Sequence, residues 1–248
     1  MICSIALFAV GCSPKEAKQP TELTISAAAS LKEVMAELTD MYTGENPDIK
    51  LTFNFGASGS LQQQIEQGAP SDLFISAGKK QMKALADKDL LVVDTNKDLV
   101  RNTLVLVGSK DTKVTSINDL TTDKVKKIAV GEPKSVPAGK YADEALTKLS
   151  LKDKVNSKLV FAKDVKEVFA WTSSGNADVG FVYASDALNK DNVKVIETVK
   201  EDSHSPIMYP IAVIKASKNV DAAKAFEEFL LGEKAQKIFE KYGYKSAN

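Results

Sequence analysis

From residue 22 onward, short apolar runs alternate with amphipathic segments, and this alternation limits the possible folds more than any other feature of the chain. Residues 23–27 form an apolar run followed by a helical pattern with Leu31, Val34, Met35 and Leu38 on one face. Ser30-Leu31-Lys32-Glu33 fits a capping box opening that helix. Residues 50–55 lead into the turn Gly56-Ala57-Ser58-Gly59-Ser60 and a short helix over 61–67, and residues 73–77 lead into a helix through Met82, Leu85 and Ala86. Further strands are expected at 103–107, 128–131, 159–162, 179–183, 193–199 and 211–214, with helices at 139–149, 165–174 and 221–241. Such alternation implies layered α/β architecture with mostly parallel sheets. The connections point to two lobes, residues 22–103 plus 216–248 forming one and 104–215 the other. A ligand cleft is then expected between facing strand ends.

The loops after these strands share one theme, a small or hydroxyl-bearing residue at a helix start. Ser30 follows the first strand, and Ser58 and Ser60 precede Leu61. Pro137, a favourable residue for helix entry, precedes Ala138 and Gly139, while Asp164 with Glu167 three residues on forms an acidic cap before Val165. Helix N-termini present unpaired N–H groups and the positive end of the helix dipole, so several of them facing one cleft make an anion site without any side-chain cation. Taken singly, each is an ordinary cap; only convergence of four junctions from both lobes turns them into a site.

Composition removes several alternatives. The 33 basic and 33 acidic residues balance to zero net charge, which gives nucleic-acid binding no electrostatic support. Arg101 is the only arginine and His204 the only histidine, so an arginine clamp or a histidine metal cluster has almost no material. His204 lies in the polar stretch Glu201-Asp202-Ser203-His204, and no Gly-x-Ser-x-Gly elbow is present, which argues against an exported serine hydrolase. The 56–60 turn lacks the lysine and spacing of a nucleotide-binding loop. Trp171, beside Val168 and Phe169, fits a core helix face, and Lys124, Lys126 and Lys127 fit a solvated one.

Residues 1–12 read MICSIALFAVGC, too short to span a bilayer but suited to the apolar region of a secretory signal. The small pair before Cys12 resembles a bacterial lipoprotein signal, which implies removal of residues 1–11, lipidation of Cys12, a flexible tether over 12–21, and an exported protein anchored on the outer side of the membrane. Loss of Cys3 and acylation of Cys12 leave the folded part without a thiol.

Longer blocks carry a more specific likeness. AAASLKEVM at 27–35, FGASGSLQQQIEQGAPSDLFISA at 55–77, AVGEPKSVPAGKYADEAL at 129–146, KDVKEVF at 163–169, VGFVYASDAL at 179–188 and EDSHSPIMYPIAV at 201–213 resemble the substrate-binding proteins of bacterial molybdate ABC transporters. The resemblance spans residues 22 to 244. It implies a type II periplasmic-binding-protein fold, two α/β lobes closing on one tetrahedral oxyanion, molybdate or tungstate, for delivery to a membrane permease. It further implies a monomer that is a carrier and not an enzyme, with no cofactor besides the anion. Carried over by position, the anion ligands are Ser30, Ser58, Ala138, Val165 and Tyr183, with no direct metal ligands. Where relatives often have a run of serines, this chain reads Ala57-Ser58-Gly59-Ser60, so Ser60 is a second candidate in that turn. A carrier of another oxyanion or of an organic acid is the alternative; an organic acid calls for an arginine fork, for which Arg101 is the sole candidate.

Overall fold

The computed structural model describes residues 20–247, so Cys12 and the expected signal segment 1–11 lie outside the described residues. Among the described residues no helix is long and apolar enough to cross a membrane. The chain begins β1 (Thr21–Ala28), α1 (Lys32–Glu45), β2 (Ile49–Gly56), α2 (Ser58–Glu66), β3 (Leu73–Ile75), α3 (Lys79–Asp87), β4 (Lys97–Arg101). It continues β5 (Leu104–Ser109), β6 (Ile128–Gly131), α4 (Pro137–Lys148), α5 (Lys152–Val155), β7 (Leu159–Ala162), α6 (Val165–Ser173), β8 (Val179–Tyr183), α7 (Ala184–Ala187), β9 (Val193–Thr198). It ends β10 (Met208–Val213), α8 (Val220–Leu231), α9 (Glu233–Lys241), β11 (Lys245–Ser246).

Two sheets result, a six-stranded one ordered β11-β4-β10-β3-β1-β2 and a five-stranded one ordered β7-β6-β8-β5-β9. Each is the centre of one α/β lobe. Every residue of β3, β6, β8 and β10 is buried. Layers on both faces of a sheet demand such unbroken apolar runs; β6 and β8 match the expected 128–131 and 179–183, whereas β3 ends at Ile75 rather than 77 and β10 runs from Met208 to Val213 rather than over 211–214.

Both sheets are mixed, which corrects the expectation of mostly parallel ones. β1 runs parallel to β2 and β3, and β6 to β7 and β8, but β10 opposes β3 and β4, and β5 opposes β8 and β9. The physical reason lies in the connections. A parallel neighbour requires a helical crossover, whereas β5 and β10 each arrive directly from the other sheet and are free to pair antiparallel.

The chain passes between the sheets at Asn102–Thr103 and again between β9 and β10, and the Asn102 amide donates to the Ile207 carbonyl at 3.1 Å, tying the two crossings together. Because β10 belongs to the first sheet, the return comes before Met208, earlier than the expected boundary at 215/216. The apolar pattern marks neither β4 nor β11 as a strand. Only Leu99 and Val100 of β4 are buried, and β11 has two residues, too little for an apolar pattern to register. The single helix expected over 221–241 breaks at Gly232, which caps α8 and precedes α9.

Candidate functional site

The C-terminal ends of the parallel strands in both sheets meet at one cavity. β1 delivers Ala28, Ala29 and Ser30; β2 delivers Gly56, Ala57 and Ser58; β3 delivers Ala77. From the other lobe, β6 leads to Val136, Pro137 and Ala138, β7 to Asp164 and Val165, and β8 ends in Tyr183. Ser30, Ser58, Ala138, Val165 and Tyr183 therefore line a single enclosure, three helix starts (α2, α4 and α6) among them. Its empty volume is about 220 Å³, mouth included. So tight a space suits a small inorganic ion rather than an organic ligand.

Each helix start is built differently from a plain serine cap. The capping box expected at Ser30 does not form: residues 29–31 make a 3-10 turn ahead of α1, whose start has no side-chain cap. The Ser30 hydroxyl instead pairs with the Tyr209 hydroxyl at 2.9 Å, and the Tyr244 hydroxyl donates to the Ser30 carbonyl at 2.9 Å. Ser58 is the first residue of α2, and its hydroxyl oxygen accepts from the Ala77 amide at 2.9 Å. Ser60 is not among the residues lining the cavity. Pro137 opens α4, and Gly139 packs against the Gly131 carbonyl so closely that a Cβ there would overlap it. Asp164 is the N-cap of α6 and accepts from the Glu167 amide at 2.9 Å, while Glu167 in turn accepts from Lys163 N–H at 2.8 Å.

Among the lining residues Asp164 and Tyr183 carry the only ionisable side chains, and none is cationic. The Tyr183 hydroxyl is buried without a hydrogen-bond partner among the described residues. Burial pushes this phenol well above its ordinary range; the Tyr209 hydroxyl opposes the rise without meeting hydrogen-bond geometry. Lysine enters only behind the wall. Lys166, next to Val165, pairs with Asp186 at 2.8 Å and with Glu33 of the other lobe at 2.6 Å. Burial pulls the Lys166 ammonium down, but the two carboxylates outweigh it and its value rises.

Two further contacts cross between the lobes. Gly59 N–H donates to the Ser135 carbonyl at 2.9 Å, and the Tyr141 hydroxyl donates to the Ala77 carbonyl at 3.4 Å. Arg101 does not line the cavity; its Nε donates to the Ser246 carbonyl at 2.8 Å, so the fork that an organic acid calls for is directed elsewhere. His204 sits beside the Tyr141 ring, centroids 5.9 Å apart, and does not line the cavity either. Trp171 is half-buried against the core, and Lys124, Lys126 and Lys127 are exposed.

Nothing in the sequence pattern marks Tyr209, Asn102, Lys166 or Asp186. Tyr209 falls in an apolar strand, where a tyrosine reads as core; Lys166 and Asp186 lie close in sequence to Val165 and Tyr183, but their pairing with each other and with Glu33, like that of Asn102 with Tyr209, joins residues far apart in the chain.

Residues 23–245 match the family model for bacterial extracellular solute-binding proteins. The Bacillus subtilis chain YvgL, provisionally described as an ABC transporter substrate-binding lipoprotein, is 43% identical over 244 residues, covering 96% of this chain and 93% of that one. The molybdate-binding protein ModA of Haemophilus influenzae is 38% identical over 230 residues, covering 91% of this chain and 90% of the relative. Among solved structures, a substrate-binding domain provisionally assigned to a molybdenum ABC transporter of Clostridium difficile superposes with a TM-score of 0.72 at 68% identity, covering 92% of this chain and all of that one.

Proposed function

The chain belongs to the family of bacterial extracellular solute-binding proteins, and from that premise we propose that it captures molybdate in the cavity between its lobes and hands it to an ABC transporter permease. Proteins of this family bind and carry solutes and are not enzymes. The observation that carries the reading is the character of the wall: a cavity sized for an inorganic ion, lined by two serines, a tyrosine and three helix starts, with no lysine or arginine. Ser30, Ser58 and Tyr183 serve as hydroxyl donors, and Ala138 and Val165 as backbone N–H donors at the starts of α4 and α6. A dehydrated dianion ringed by fixed dipoles binds tightly because those groups need little reorganisation, and each hydrogen bond to it is charge-assisted. The ModA relative at 38% identity supports molybdate as the ion, and tungstate shares its charge and nearly its size.

Calorimetry with molybdate, tungstate, sulfate and phosphate tests this. Molybdate and tungstate are expected to bind tightly, and sulfate less so, being too small to reach all donors together. Preference for sulfate, or for a carboxylate, would overturn the reading. Cys12 lies outside the described residues; its lipidation is proposed from the residues around it and is in keeping with the description of YvgL. Cys12→Ser is expected to release the protein into the soluble fraction, and unchanged membrane retention would contradict the anchor.

A further inference from the structure

We infer that Asn102 and Tyr209 are positioning residues that fix the Ser30 hydroxyl as a hydrogen-bond donor toward the cavity, and so make the site select oxyanions that carry no proton. The inference rests on the proposed role of Ser30 as an anion ligand.

The direction of each hydrogen bond follows from a fixed starting point. The Thr103 backbone N–H can only donate, and it donates to the Asn102 Oδ1 at 2.8 Å. That sets the orientation of the amide, so Nδ2 is the donor at its other end. Nδ2 donates to the Ser185 hydroxyl at 2.8 Å and to the Tyr209 hydroxyl at 3.4 Å. Tyr209 is fully buried, with one hydroxyl proton to place. Its partner besides Asn102 is the Ser30 hydroxyl at 2.9 Å, so the proton goes to the Ser30 oxygen. In the opposite polarity Tyr209 would accept from both neighbours and its own buried proton would be left facing the Tyr183 hydroxyl, which lies outside hydrogen-bond geometry, and that is costly. The Ser30 oxygen is thus occupied from behind by a protein donor, and its own proton is left for the cavity that Ser30 lines.

Ser58 is poled the same way by a different donor. Its oxygen accepts from the Ala77 N–H at 2.9 Å, leaving its proton for the ion. Asp164, the one carboxylate on the wall, has its Oδ1 engaged by the Glu167 amide at 2.9 Å. A hydrogen phosphate must hand its proton to an acceptor, and a serine that could turn would supply one. The relay from Thr103 through Asn102 and Tyr209 withholds that freedom from Ser30. Asn102 also sits at the crossing between the lobes, where its own amide binds the Ile207 carbonyl at 3.1 Å, so the relay is anchored in the hinge itself.

Two variants change the relay without changing shape. Tyr209→Phe removes the proton donated to Ser30. Asn102→Asp keeps the bond from Thr103 but replaces the donor facing Tyr209 with an acceptor, which turns the Tyr209 proton away from Ser30 and lets Ser30 accept from the ion. Sulfate is the internal control: it is close to phosphate in size and carries no proton, so mere slackening of the cavity moves both anions together. Competition against molybdate near pH 8, where phosphate is chiefly a dianion, is expected to show phosphate gaining on sulfate by about tenfold in each variant. Phosphate and sulfate shifting in parallel in either folded variant would overturn the relay. Ser30→Ala separates the two failures. It is expected to weaken molybdate about tenfold or more, and an unchanged molybdate affinity would overturn the placement of Ser30 in the site, and the relay with it.

Discussion

The Lys166 ammonium lies 2.6 Å from the Glu33 carboxylate of the opposite lobe, and its other partner is the Asp186 carboxylate at 2.8 Å. The two acids differ in burial, the Asp186 side chain being fully buried and that of Glu33 44% exposed. Removing one partner of a buried pair strands the other charge, at a cost of roughly 3–5 kcal/mol, whereas an exposed pair is worth about 1 kcal/mol or less. Lys166→Met is therefore expected to destabilise several times more than Glu33→Gln in urea unfolding. The pH dependence has a definite sign. Burial raises Asp186 above its ordinary value, so the stability linked to its protonated form is present below the unfolded value and fades as pH rises through the folded one. The Lys166→Met loss should be larger at pH 7 than near pH 4, and equal losses at both would contradict this account.

Gly59 and Ser135 predict an opposite pair of effects. A Cβ on Gly59 would lie 2.6 Å from the Ser135 carbonyl oxygen and 2.7 Å from its Cα, and these residues belong to different lobes. Opening the lobes relieves the clash, and alanine is favoured over glycine in a helix by up to about 1 kcal/mol. Gly59→Ala should leave the unfolding midpoint without anion unchanged or slightly higher, while molybdate affinity falls by about tenfold or more because closure is obstructed. Gly139→Ala offers the contrast. Its Cβ would overlap the Gly131 carbonyl within one lobe, where no opening helps, so it should fail to fold. Wild-type affinity in a folded Gly59→Ala protein would show that closure does not need this contact.

Tyr183 carries a trade between stability and binding. Its hydroxyl is buried and has no hydrogen-bond partner among the described residues, and an unsatisfied buried hydroxyl costs about 1–3 kcal/mol. Tyr183→Phe should accordingly raise the stability of the anion-free protein while weakening molybdate by roughly tenfold or more. Thermal unfolding with and without molybdate reads both effects at once. A variant that loses stability in the absence of anion would mean that the hydroxyl is satisfied in solution.

Of the strands that position the site, β6 and β8 were legible in the sequence because every residue in them is buried, and β7 because its four residues form an apolar run although only Ala162 of them is buried. β6, β7 and β8 begin and end where the apolar runs do. β4 is hidden because Lys97, Asp98 and Arg101 leave only two apolar residues in it, and the sequence places β10 with the second lobe because an apolar run does not say which sheet it joins. The cavity residues were legible as helix starts and, through the resemblance, by position. Their orientation was not. Ser30 reads as a cap because the pattern Ser-x-x-Glu is local, but its partner is Tyr209, 179 residues away, and no spacing rule reaches that far. The Lys166 cluster was concealed for the same reason, since Glu33 and Lys166 are 133 residues apart.

The site should bind with little response to pH across the neutral and mildly alkaline range. Burial pushes Tyr183 well above its ordinary value, and Tyr209 behind it moves the same way for the same cause. An acid whose value is raised keeps its proton to higher pH, so the Tyr183 donor is present throughout and is lost only as pH rises through that elevated value. Lys166 is raised by Asp186 and Glu33 despite burial, so its charge also persists past ordinary lysine titration. The remaining proposed donors are serine hydroxyls and backbone amides, which do not titrate, and molybdate itself is fully deprotonated near neutrality. Calorimetric affinity should therefore vary by less than about threefold between pH 6.5 and 9.5. Phosphate, measured alongside, changes its own protonation within that interval and should not stay level. A steep change in molybdate affinity that Tyr183→Phe abolishes would show that the phenol titrates in the site, against the direction its burial imposes.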